Sequence, residues 1–152
     1  METRLNPYKA APELLQAITA LTHQLEGGGL ETSLAELVKI RASQLNGCAF
    51  CIHMHSRDAR AAGETEKRIY LLDAWRESPL YSARERAAPA WTEAVTLVAR
   101  THVPDDVYAE ARAEFWEEGL AKLTLVIGVI NVWNRIATGF RAQHPVKPAK
   151  VA

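Results

Sequence analysis

The segment Cys48-Ala49-Phe50-Cys51-Ile52-His53-Met54-His55 contains the only two cysteines of the chain, three positions apart, with a histidine one helical turn beyond the second. Asn46-Gly47 stands just upstream as a helix stop, so Cys48 is expected to open a new helix. Cysteines in a first helical turn lie beside unpaired backbone N–H groups at the positive end of the helix dipole. That environment favours the thiolate, the form that attacks peroxides and disulfides. On a helix the two sulfurs are separated by about 300° around the axis, nearly on one face and near enough for a disulfide to be considered. His55 follows Cys51 by four positions and projects from the same face, where an imidazole can accept a thiol proton. His53 points roughly to the opposite side and is the weaker candidate.

Two other readings use the same residues. Cys48 and Cys51 with His53 or His55 could supply metal ligands, although zinc usually takes a second ligand pair and His23, His102 and His144 are scattered along the chain. Both cysteines could also be small buried core residues without chemistry.

Positioning such a site requires a fold, and the punctuation of the chain predicts one built of helices. Residues 13–26 carry Leu14, Ile18, Leu21 and Leu25 on one stripe and stop at Gly27-Gly28-Gly29. Residues 33–45 open on Ser33-x-x-Glu36, a candidate capping box, and end at Asn46-Gly47. The cysteine helix is expected to run to Ala62, with Gly63 as its C-terminal glycine. Thr65 is expected to cap a helix over 66–77, and Ser82-x-x-Glu85 to cap one running towards Thr101, kinked at Pro89. An acidic helix is expected over 104–118, ended by Gly119, followed by an apolar helix over 120–141. The tail from Gln143 reads as extended or disordered. The expectation is an all-α single-domain bundle of about seven helices.

At 152 residues the chain is long enough to bury about 70% of its unfolded surface without a disulfide or metal. Lys+Arg and Asp+Glu both total 18, so no global field favours nucleic acid or an anionic membrane. Residues 1–7 have no apolar core or cleavage pattern, so no signal peptide is expected. The longest apolar stretch, 123–133, is interrupted by Thr124 and Asn131 and is shorter than a bilayer needs. A cytoplasmic protein with no membrane partner is expected, and in that reducing compartment a Cys-x-x-Cys is more often catalytic or metal-binding than structural. No phosphate loop, flavin or nicotinamide fingerprint is seen, and no cofactor is expected. The four tryptophans, Trp75, Trp91, Trp116 and Trp133, are expected in core and subunit contacts. Asn131 and Asn134 are expected to link helices or subunits through buried hydrogen bonds.

Taken together, Glu36, Cys48, Cys51 and His55 spell Glu-x11-Cys-x-x-Cys-x-x-x-His, which resembles the alkylhydroperoxidase D-like branch of the carboxymuconolactone decarboxylase superfamily. The likeness continues through Met54-His55-Ser56-Arg57-Asp58-Ala59-Arg60, Leu72-Asp73-Ala74-Trp75-Arg76 and Asn131-Val132-Trp133-Asn134-Arg135, covering roughly 31–141. The resemblance implies an all-α homo-oligomer that reduces organic hydroperoxides or hydrogen peroxide. By position it implies Cys51 as the peroxidatic thiolate, Cys48 as the resolving thiol, and His55 with Glu36 as a proton relay. It also implies an external dithiol reductant, dihydrolipoamide- or thioredoxin-like, that reopens the disulfide. One departure is Phe50, which stands where the best-known members carry a histidine.

Overall fold

The computed structural model describes residues 2–146, and every regular element among them is helical. A short α1 (Pro7–Ala10) leads into α2 (Pro12–Glu26), followed by α3 (Thr32–Leu45), α4 (Ala49–Ala61) and α5 (Glu66–Leu71), which tightens into a 3₁₀ turn at Leu72–Ala74. Then come α6 (Ala83–Thr96), α7 (Val98–Thr101), α8 (Asp105–Glu114) and α9 (Glu117–Phe140). Residues 142–146 form no regular element, and the rest of the tail lies outside the described residues.

The all-α expectation holds, and several joints fall where local chemistry placed them. Thr65 accepts from the Arg68 N–H at 3.3 Å, and Ser82 with Glu85 forms a reciprocal capping box. Gly47, at φ +63°, supplies the left-handed residue that reverses the chain between α3 and α4 within a few positions.

Other boundaries differ from expectation. The Ser33 capping box does not form: α3 begins at Thr32, so Glu36 lies in its second turn, too deep to reach back to the cap. The helix expected over 66–77 tightens after Leu71, where the chain buries Leu72 and Trp75. The helix expected to reach Thr101 breaks at Leu97 into α6 and α7. The acidic helix ends at Glu114 because Phe115 turns extended and buries its ring in the core. Glu117 and Glu118 then occupy the first turn of α9, where carboxylates favour the helix dipole, and Gly119 lies inside that helix.

The core forms three clusters. Leu34, Val38, Trp91, Phe115, Leu123 and Ile127 join α3, α6 and α9, while Leu37, Ile40, Leu72, Trp75 and Tyr81 fill the space on the other side of α3. The third cluster packs Ala42 of α3, Cys48 and Cys51, and Ile130 and Ala137 of α9. The cysteines thus sit where the end of α3, the start of α4 and the second half of α9 converge. Trp75 and Trp91 are core residues as expected, whereas Trp116 at the α8–α9 joint is 87% exposed.

Helix α9 is longer than its apolar run and, by length and composition alone, could cross a membrane. One stripe of it is committed to the core through Leu123, Ile127, Ile130 and Asn134. Its outer side leaves Leu125 and Val132 exposed.

Candidate active site

Cys48 is the N-cap of α4, and its sulfur accepts the Cys51 backbone N–H at 3.4 Å, as a Ser or Thr oxygen would at such a position. Four residues further along the helix comes His55, so Cys51, His55 and Ala59 make one buried stripe. Both cysteines are free and 2% exposed. His53 is exposed on another side, stacked on His144 at 5.1 Å between ring centroids, and does not join the site.

The packing of α3 on α4 brings Glu36 to His55 across nineteen positions of sequence, with Oε2 at 2.9 Å from Nδ1. Lys39, one turn along α3, donates to Glu36 Oε1 at 2.8 Å and lies 3.6 Å from Glu26. Burial alone would push the Glu36 carboxyl up, but hydrogen bonds from His55 and Lys39 outweigh it and hold Glu36 below the usual carboxylate range. An ionised carboxylate only accepts, so His55 donates from Nδ1, and in the neutral ring Nε2 is then the proton acceptor. That is the orientation a general base beside a thiol requires.

The two sulfurs share one favourable charge. Cys48 is pulled down to about 6, first by the Cys51 thiol that donates to it, against burial, and then by the Cys51 N–H, Thr138 and Asn134. Cys51 is pushed far up, because its proton bridges to Cys48 and its sulfur is buried. At rest the negative charge therefore sits on Cys48, with the Cys51 thiol hydrogen-bonded to it. One thiolate per chain is expected to appear as pH rises through about 6, below the roughly 8.5 of a free cysteine. Thiolate ultraviolet absorbance against pH measures it directly; a single step near the free-thiol value would contradict it. Since the folded value is the lower one, ionised Cys48 stabilises the fold fully above the unfolded value. That stabilisation is lost as pH falls towards 6.

Asn134 is a contributor whose link to the sulfurs no local pattern announces. Its side chain is 1% exposed and favours the thiolate at each cysteine. Asn46 Nδ2 donates to Asn134 Oδ1 at 2.8 Å and to Asn131 Oδ1 at 3.0 Å, while Asn134 Nδ2 donates to Ser43 Oγ at 3.0 Å. The two amides on an apolar helix were the sequence signal, and they do link helices; Asn46, Ser43 and Thr138 carried none. Asn134→Leu is expected to raise the Cys48 titration by roughly one pH unit, the loss of one hydrogen bond to a charged group. The pH dependence of iodoacetamide alkylation checks it. An unchanged titration would leave Asn134 a structural role only.

A cavity of about 530 Å³ opens beside Cys51, His55 and Glu36, with Phe50, Met54, Trp133, Ile136 and Phe140 among its walls. Cys48 does not line it. Among the described residues, metal-ligating atoms come together at Glu36, His55 and Asp58, all within 4.8 Å, rather than at the cysteines with a histidine. Lys39 already occupies one Glu36 oxygen, and its ammonium opposes a cation there.

The chain is similar to several known proteins. Residues 12–94 match the carboxymuconolactone decarboxylase family. The uncharacterized protein YdfG of Bacillus subtilis is 44% identical over 144 residues, 93% of this chain and 98% of its own length. A crystal structure of a protein of unknown function from Agrobacterium tumefaciens, proposed as an antioxidant defence protein AhpD, superposes with a TM-score of 0.93 at 49% identity. The match covers 96% of this chain and all of that one. An uncharacterized peroxidase-related protein from Silicibacter sp. TM1040 shares the fold at a TM-score of 0.79 and 23% identity, over 90% of this chain and 72% of that one. By its sequence, its fold and the placement of its Cys-x-x-Cys-x-x-x-His motif, the chain belongs to the carboxymuconolactone decarboxylase family, as an alkylhydroperoxidase D-like member.

Proposed function

We propose that the chain is a thiol-dependent peroxidase that reduces hydroperoxides through Cys51 and Cys48, with His55 and Glu36 moving the protons. The observation that carries the reading is a cavity that ends on Cys51 and His55, with Cys48 in hydrogen-bond contact behind Cys51. Proton transfer from Cys51 to the Cys48 thiolate leaves a Cys51 thiolate facing the cavity, and His55 takes up a solvent proton at Nε2. That thiolate attacks the distal peroxide oxygen: an S–O bond forms, the O–O bond breaks, and the alkoxide takes a proton from His55 to leave as alcohol. Cys48 then attacks the Cys51 sulfenic acid. The S–S bond forms as the S–O bond breaks, and the departing hydroxide takes the Cys48 proton to leave as water.

An external dithiol returns the pair to two thiols by exchange and is itself oxidised to a disulfide. A dihydrolipoamide- or thioredoxin-like donor fits that step, and a reducing compartment such as the cytoplasm supplies it. Assembly into a homo-oligomer belongs to the same reading. Leu14 and Leu21 of α2, with Leu125 and Val132 of α9, support it as large apolar side chains left exposed.

One observation favours a second reading. A low-titrating cysteine at a helix N-cap also suits a thiol–disulfide oxidoreductase, with Cys48 attacking a disulfide. The experiment that tests both is turnover with excess dihydrolipoamide, using cumene hydroperoxide in one assay and a small-molecule disulfide in the other. Peroxide consumption above the uncatalysed rate supports the peroxidase, and disulfide reduction without it supports the alternative.

A further inference from the structure

The wall of the cavity opposite the core comes from the N-terminal segment, which no local sequence pattern tied to the site. Thr3, Leu5, Asn6, Pro7 and Tyr8 line it, and the segment lies across the last turn of α9. The Arg4 N–H donates to the Phe140 carbonyl at 3.1 Å, Arg4 Nη1 to the Gly139 carbonyl at 3.2 Å, and the Thr3 hydroxyl to the Arg141 carbonyl at 3.5 Å. Those carbonyls belong to a helix C-terminus, where acceptors lack intrahelical partners. At its other end Asn6 accepts from the Lys9 N–H and caps α1, which packs on α2. The segment is therefore a strap fixed at both ends, contributing Leu5 and Tyr8 to the cavity.

The polar groups around this cavity are unevenly distributed. Glu26, Glu36 and Asp58 line it, and among the described residues no lysine or arginine does. Lys39 offsets charge behind Glu36 and Glu26, and Arg57, largely exposed, pairs with Asp58. The remaining walls are mostly apolar, and Phe50 adds to them. A water needs only about 10–15 Å³ of such space, so hydrogen peroxide would use a small part of 530 Å³.

Resting on the peroxidase reading above, we propose that the strap is a specificity-determining element, and that the chamber it closes selects uncharged, compact apolar hydroperoxides. Hydrogen peroxide is disfavoured because it leaves the apolar walls wet. Carboxylate-bearing hydroperoxides are disfavoured because they meet three acidic side chains with no cation lining the cavity among the described residues.

The test is steady-state kinetics of the full chain with cumene hydroperoxide, hydrogen peroxide and linoleic acid hydroperoxide, under one reductant. Wild type is expected to show a kcat/KM for cumene hydroperoxide at least ~10-fold above each of the others, the discrimination an apolar pocket ordinarily achieves. Deleting residues 2–8 is expected to lower the cumene-to-hydrogen-peroxide ratio by about 10-fold. Leu5→Asp, which leaves the backbone bonds of the strap in place, is expected to lower the same ratio. Asp58→Asn is expected to raise the linoleic-acid-to-cumene ratio several-fold. Equal efficiency with all three peroxides, turnover of hydrogen peroxide alone, or ratios unmoved in all three variants would overturn the strap and leave the peroxidase reading standing. No turnover of any peroxide would sink both.

Discussion

Serine in place of Cys51 is expected to reduce hydroperoxide turnover to background, a loss of at least ~10⁴-fold, with the fold retained. The substitution changes one buried atom, and a hydroxyl can keep the hydrogen bond to Cys48, so packing has little reason to change. What disappears is the sulfur that meets the cavity. Cys48→Ser should behave differently: Cys51 still attacks, one equivalent of alcohol is released, and the sulfenic acid accumulates because nothing resolves it. Peroxide consumption beside mass-spectrometric detection of a dimedone adduct distinguishes the two variants. The contrast matters because the resting charge sits on Cys48 while Cys51 is the sulfur that lines the cavity. If Cys48→Ser were inert to peroxide and Cys51→Ser formed the adduct, the roles of the two sulfurs would be exchanged.

His55→Ala is the second large effect, expected to cut kcat/KM by about 10²–10⁴-fold, the usual contribution of a positioned acid–base group. Glu36→Gln is expected towards the lower end of that range, since it leaves the imidazole in place but removes the ionised acceptor that orients it. The titration of Cys48 near 6 is set by Cys51, its N–H, Thr138 and Asn134, and His55 is not among the causes. The step in thiolate absorbance should therefore stay put in His55→Ala while the rate collapses. Moving that step by a unit or more would make His55 part of the charge-stabilising shell instead of a proton carrier. His55→Ala also leaves Glu36 buried with Lys39 alone, and a loss of about 1–3 kcal/mol of stability is expected from chemical denaturation.

The sequence by itself determined the parts of this protein that depend on neighbours along the chain. One face for Cys48, Cys51 and His55 follows from helical pitch, so the motif could be placed before any fold was known. Thr65 and the Ser82–Glu85 box are equally local, because a cap is satisfied by backbone N–H groups two or three residues away. Only the tertiary structure decided between the two uses of Glu36. Its spacing suited both a cap and a relay, and the choice fell to the packing of α3 against α4, which starts α3 at Thr32 and points Glu36 at His55. Phe115 splits the acidic run for a similar reason, since burying its ring outweighs continuing the helix. Asn134 reaches Asn46 across 88 positions, and the strap at Arg4 reaches Phe140 across the whole domain. No local period or cap encodes such meetings. They follow from how three apolar clusters bury their surface, and that burial placed a chamber and a polar network around a motif the sequence had already positioned on its helix.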